Sequence, residues 1–278
     1  MQFIAIGGDL RYAYLVRRAC ALGIRAAAFG LERAGLYDIP EASKADLGKA
    51  ECVVMPNPFA KGPAMPLSSA QYTVEELLEL LGAGTSLALF GAGDVPEKVS
   101  ARHKIIRLDE DEWLMEALGR QTAEGAIHMA AERAAYELHM AKVLIIGYGR
   151  IGKALHRMLN GYGAEVSVAA RRKEARLEAE GKGARAVDIV QLDALLPTQQ
   201  IVFSTPPERV LDARRVELLN RRVLLIDLSS APYGVDLAAA EARWLNAWRE
   251  PALPGRYCPE SAGAALLTSL QLLMKGAV

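Results

Sequence analysis

The chain has 278 residues, 51% of them hydrophobic and 24% charged, with 33 basic residues balanced by 33 acidic ones. That length can bury a sizeable core and favours two domains over one. The even balance excludes the basic field expected of a nucleic-acid-binding or membrane-surface protein.

Residues 3–6 read as a strand, and Gly7-Gly8-Asp9-Leu10-Arg11 as the turn that follows. A helix is expected over 12–22, ended by Gly23. Short apolar runs at 25–29, 52–55 and 86–90 predict three more strands. Such alternation with helical segments implies a small parallel sheet with helices on both faces. Residues 57–69 are rich in Pro, Gly, Ser and Ala and read as an irregular loop, either a lid at the ligand crevice or a plain surface loop. A long linking helix is expected over 121–140.

Next comes an apolar run at 143–146, then Gly147-Tyr148-Gly149-Arg150-Ile151-Gly152, then a helical segment over 153–159. A strand feeding a helix through this glycine pattern is the dinucleotide fingerprint. Gly147 permits the tight turn, Gly149 lets a pyrophosphate approach, and Gly152 lets helix and strand pack closely. Further strands are expected at 166–169, 184–187, 201–204 and 223–227. Just past the first of these, Arg171 and Arg172 stand where an NAD site usually has an acidic residue for the ribose 2′-hydroxyl. Arginine there suits a 2′-phosphate, so the expected cofactor is NADP rather than NAD.

The fold class is therefore α/β, with two Rossmann-like doubly wound parallel-sheet domains joined by a long helix. The expected boundaries are 1–120 for a substrate-side domain, completed by a returning helix over 260–278, and 121–259 for the NADP domain. Residues 262–274 are apolar but too few to span a bilayer. Cys20, Cys52 and Cys258 lack metal-ligand spacing and read as reduced thiols, and no metal site is expected. The first residues lack a signal-peptide pattern, so a cytoplasmic location is expected.

Strand ends hold the candidate chemistry. On the cofactor side these are Thr205-Pro206, Ser229-Ser230 and Pro254-Gly255. On the other side Arg11 with the Gly7 and Gly8 amides suits a carboxylate, while Asp9 is either a helix cap or a general base. The four histidines have no ligand spacing, and none follows an expected strand end.

Several phrases in order resemble the dipicolinate synthase A-subunit family of spore-forming bacteria. They are Ile6-Gly-Gly-Asp-Leu-Arg11, Thr122-Ala-Glu-Gly125, Gly147-Tyr-Gly-Arg-Ile-Gly152, Ala170-Arg171-Arg172, Asp227-Leu-Ser-Ser-Ala-Pro-Tyr-Gly-Val-Asp236, and Leu253-Pro254-Gly255 leading to Ser261-Ala-Gly263. The resemblance implies oxidation of the dihydrodipicolinate-pathway intermediate of lysine biosynthesis to dipicolinate during sporulation. It also implies a flavoprotein-like B-subunit of the same synthase as partner, and the mother-cell cytoplasm as location. A homo-oligomer is a further option. A flat ring with two carboxylates needs donors at both ends. Arg11 with the Gly7 and Gly8 amides is expected at one, and the Thr122 hydroxyl with helix amino-terminal amides at the other. Glu124 is the candidate proton shuttle, or a cap or solvated side chain; Ser229 and Ser230 are expected near the nicotinamide. The chain departs from the family at Leu118-Gly-Arg-Gln-Thr122, where relatives read Asn-Ser-x-Pro-Thr, and at Glu260, where they carry lysine. The alternatives are an NAD(P)-dependent dehydrogenase of a small 2-hydroxy or 2-amino acid, and a non-catalytic nucleotide-binding partner protein.

Overall fold

The computed structural model describes residues 2–57, 65–91 and 95–275. Residues 58–64 of the expected lid loop, and the last three of the expected terminal helix, lie outside them. Two compact units are present, Met1–Leu118 with Pro254–Val278, and Gly119–Leu253.

The first unit begins with β1 (Gln2–Ile6), α1 (Leu10–Ala21), β2 (Arg25–Phe29), α2 (Lys44–Leu47) and β3 (Cys52–Val54). It continues with α3 (Val74–Glu79), β4 (Ser86–Leu89), α4 (Glu97–Ser100) and β5 (Ile105–Arg107). All pairings are parallel, in the order β2-β1-β3-β4-β5. Because side chains alternate along a strand, each strand feeds two cores. Phe3, Ala5, Cys52, Val54 and Ala88 pack on one face with Leu15 and Val16. Ile4, Ile6, Val53, Leu87 and Leu89 pack on the other with Leu47 and Leu77. Both faces are covered, which is why these strands read as continuous apolar runs.

Helix α5 (Glu112–Arg133) leads into the second unit. There follow β6 (Lys142–Ile146), α6 (Arg150–Gly161), β7 (Glu165–Ala170), α7 (Lys173–Gly181), β8 (Arg185–Asp188) and β9 (Ile201–Ser204). The unit closes with α8 (Ala213–Glu217), β10 (Leu224–Asp227), α9 (Leu237–Ala242) and β11 (Asn246–Arg249). The sheet is wholly parallel, in the order β11-β10-β9-β6-β7-β8. This is the doubly wound dinucleotide-binding order, with its switch point between β6 and β9. The first sheet has the flavodoxin-like order instead, with its switch point between β1 and β3.

The chain then returns to the first unit through α10 (Leu253–Tyr257) and α11 (Pro259–Lys275). Helix α11 packs on α1. Gly263 makes this possible, since a Cβ there would lie 2.6 Å from the Leu15 amide nitrogen and 2.8 Å from the Arg11 carbonyl.

The structure corrects the expected elements in two places. Strands β5 and β11 have no counterpart among the expected strands, because neither is an apolar run; β5 is flanked by charges and β11 reads Asn-Ala-Trp-Arg. The linking helix spans 112–133 rather than 121–140. Its start is set by the Asp111 carboxylate, which accepts from the amides of Trp113 at 3.0 Å and Leu114 at 3.3 Å. Among the described residues no helix is long and apolar enough to cross a membrane.

Candidate functional site

The fingerprint turn lies at the carboxyl end of β6. Gly147 has φ +88°, the left-handed region that favours glycine, and a Cβ there would meet Thr205 Oγ1 at 2.4 Å. Thr205 donates its hydroxyl to the Ile146 carbonyl at 3.0 Å, so Thr205 and Pro206 form a wall against the turn. A Cβ on Gly152 would sit 2.3 Å from the Gly147 carbonyl oxygen, so only glycine lets α6 start this close to the strand.

Gly149 is different. It is the N-cap of α6, no side chain caps the helix there, and a Cβ would meet nothing within 4 Å. The first turn of α6 carries no acidic residue. An uncapped amino terminus facing open space fits the pyrophosphate of a dinucleotide. Ile151 is half-buried at that terminus. Gly119 of α5 lies against the same helix start, where its Cβ would be 3.1 Å from Arg150 Cβ.

The Tyr148 side chain turns inward rather than toward a ligand. Its hydroxyl lies 2.8 Å from His156 Nδ1, and Asn160 Nδ2 donates to His156 Nε2 at 3.0 Å and to the Lys182 carbonyl at 3.0 Å. That donation places the ring proton on Nδ1, facing the Tyr148 oxygen. Both rings are buried, so Tyr148 offers only its backbone to a cofactor.

Arg171 and Arg172 follow β7 and are both exposed. Neither residue that follows the strand is acidic. Arg171 pairs instead with Glu208, across from it, at 2.7 Å. Arg172 is the N-cap of α7. The turn itself is held by Arg176, which donates to the Ala170 and Arg171 carbonyls and pairs with Asp188.

Ser229 is committed elsewhere. Its hydroxyl donates to Asp227 Oδ1 at 2.6 Å and accepts from the Gly234 amide at 2.7 Å. Asp227 is fully buried and receives Arg249 at 3.0 Å, and that guanidinium lies 3.7 Å from the Tyr233 ring centroid. The Asp227–Asp236 phrase is thus a self-bonded loop, in which Ser230 is exposed.

In the first unit the turn after β1 lies at the switch point beside β3. Asp9 caps α1, accepting from the Arg11 amide at 3.1 Å. It also receives Arg11 Nε at 2.8 Å and Nη2 at 2.7 Å. Arg11 is 6% exposed, so this is a buried, bidentate pair. The Gly7 amide is used by the Phe29 carbonyl at 2.8 Å. The Gly7 amide is therefore not free for the carboxylate expected there, and Asp9 already takes the Nε and Nη2 donors of Arg11. Gly255 of α10 packs on this pair, since its Cβ would lie 2.2 Å from the Asp9 carboxyl carbon. The preceding residue, Pro254, is buried.

Thr122 and Glu124 lie in the middle of α5, not at its start. The amino-terminal amides expected behind Thr122 are therefore bonded within the helix, and the dipole argument fails there. Glu124 is exposed. Glu260 is exposed in the first turn of α11, where its charge suits the helix dipole. Burial pushes the Cys52 thiol up to about 12, so it is no nucleophile. No group of metal-ligating side chains occurs among the described residues.

Residues 114–242 match the NAD binding domain family of the D-isomer specific 2-hydroxyacid dehydrogenases. The A-subunit of dipicolinate synthase from Bacillus subtilis (strain 168) is 28% identical over 174 residues, 63% of this chain and 59% of that protein. This chain is similar to that A-subunit. The crystal structure of the Bacillus halodurans A-subunit superposes with a TM-score of 0.81 at 24% identity, covering 98% of this chain and 97% of that one. For the Bacillus subtilis structure the values are 0.81 and 22%, covering 99% and 96%. At these identities the structural likeness speaks for the fold. The domain match covers residues 114–242 and supports a dehydrogenase-type domain there that binds a nicotinamide dinucleotide.

Proposed function

We propose that this chain is an NADP-linked oxidoreductase that converts the cyclic dicarboxylate intermediate of the dihydrodipicolinate pathway to dipicolinate. It works with a B-subunit in the mother-cell cytoplasm of a sporulating bacterium. The observation that carries the cofactor choice is the basic strand end at Arg171-Arg172, on a sheet of dinucleotide-binding order, where neither residue following the strand is acidic. The substrate rests on the resemblance to the dipicolinate synthase A-subunit.

In this reading Gly149 and the amino terminus of α6 receive the pyrophosphate, Arg171 and Arg172 the 2′-phosphate, and Thr205 and Pro206 hold the turn beneath. Bound NADP supplies an acceptor for a hydride. Aromatising the ring removes two electrons and two protons; one proton leaves with the electron pair and the second needs a base. Arg11 Nη1 and the Gly8 amide hold a substrate carboxylate. Asp9 keeps Arg11 in place and is one candidate base; Glu124 is the other. Of the other residues proposed for the substrate, Pro254 and Gly255 belong to the first unit and Thr122 and Ser230 to the second, where Ser229 fixes the loop that carries Ser230.

The test is NADPH formation by the purified chain, with and without the B-subunit, from the cyclic substrate. Activity that falls with Arg11→Lys while NADP affinity holds is the expected result. NADPH formed only from small 2-hydroxy acids would favour the alternative that the domain match supports. Against it, the four histidines lie before β5, in α5, before β6 and in α6, so none follows a strand as a carbonyl-facing acid would.

A further inference from the structure

Arg171 is the first residue after β7, and Glu208 is the fourth after β9. Those two strands flank β6, the strand that feeds the fingerprint turn. Their 2.7 Å ion pair therefore spans the carboxyl edge of β6, at the switch point where a dinucleotide lies. Both mounts are stiff. Arg176 ties down the Ala170 and Arg171 carbonyls, and Glu208 follows the consecutive prolines Pro206 and Pro207, whose φ is fixed by their rings. The side chains between the mounts are 66% and 58% exposed, so water competes for both. The neighbouring cations are engaged differently: Arg209 pairs with Asp236 and Arg176 with Asp188.

We propose that Glu208 is a specificity-determining residue that sets how strongly this chain prefers NADP over NAD. The proposal rests on the reading that Arg171 meets the 2′-phosphate. A 2′-phosphate must displace the Glu208 carboxylate from Arg171 and then lie beside that negative charge. NAD has no such group, so the pair stays closed, and its 2′-hydroxyl can donate to the same carboxylate. Glu208 thus holds the preference below what the two arginines alone would give.

The experiment is titration of NADP and NAD, each by calorimetry, into the full chain and into Glu208→Gln, Arg171→Ala and the double variant. Exposed ion pairs are weak, so Glu208→Gln is expected to raise the NADP-over-NAD affinity ratio about fivefold, with less gain at high salt. In the Arg171→Ala background the same change is expected to leave the ratio within about twofold. Thermal melting of each variant, unchanged for these exposed positions, shows that the fold is intact. The proposal is overturned if Glu208→Gln leaves the ratio unchanged while Arg171→Ala lowers it. It is also overturned if Glu208→Gln acts equally in both backgrounds. If Arg171→Ala itself leaves the ratio unchanged, the NADP reading fails at its source and this proposal falls with it.

Discussion

Two glycines of one motif carry different loads at the scale of single residues. Gly152 is caught between helix and strand, and its Cβ would strike the Gly147 carbonyl. Gly149 has open space and φ −91°, a conformation any residue adopts. Gly149→Val is expected to keep the fold and lose NADP binding. Gly152→Ala is expected to lose about 1–3 kcal/mol of stability as well, the cost of overpacking. Urea melts paired with cofactor titration check both, and equal destabilisation by the two substitutions would contradict the assignment. A second residue-scale expectation concerns His156. Burial, helped by the Lys182 charge, holds its pKa below the usual 6.5. The unfolded chain therefore binds a proton that the folded chain resists. Stability from the neutral ring is full above that ordinary value and is lost as pH falls through the lowered folded one. Protonation would also set an Nε2–H against the Asn160 amide donor. His156→Gln is expected to flatten the fall of melting temperature between about pH 7 and 5. An unchanged slope would place the proton elsewhere.

Element by element, the sequence is easy to read wherever a buried stretch is apolar. Strands β1, β2, β6 and β9 are legible because both faces are covered, so nearly every position is apolar. Edge strands β8 and β11 are less buried, β8 with a charge at each end and β11 with one at its last residue. The start of α5 has a signal in Asp111, followed by Leu114, Ala117 and Leu118 at helical spacing, which the Thr-x-Glu-Gly phrase obscures. Helix α11 and α1 meet at a backbone contact that Gly263 alone permits. Gly263→Val is expected to force the helices apart and cost roughly 1–3 kcal/mol, more if the helix undocks. Denaturant unfolding measures this, and a wild-type midpoint would contradict the close packing.

For the whole molecule, each unit has its own parallel sheet and its own buried clusters. NADP at a hundred times its Kd is expected to stabilise the unit that holds it by about 2.7 kcal/mol. Hydrogen exchange should slow at β6, β7 and β9 while β1, β3 and β4 stay as they were. Equal protection in both sheets would contradict a cofactor confined to the second unit.

The sequence alone determined the α/β class, the fingerprint turn and the basic strand end, because each depends on neighbours within a few residues. Local chemistry is written locally: a glycine with positive φ, an apolar run, two arginines at a strand end. Only the tertiary structure decided how the candidate side chains are used. It turned Tyr148 inward onto His156, closed Arg11 onto Asp9, tied Ser229 to Asp227 and set Glu208 against Arg171. Tyr148 and His156 stand at a spacing no strand or helix period singles out, and Arg171 and Glu208 follow strands brought near each other by a crossover. A polar side chain near the core must find a partner when water is removed, and which partner it finds depends on the sheet order.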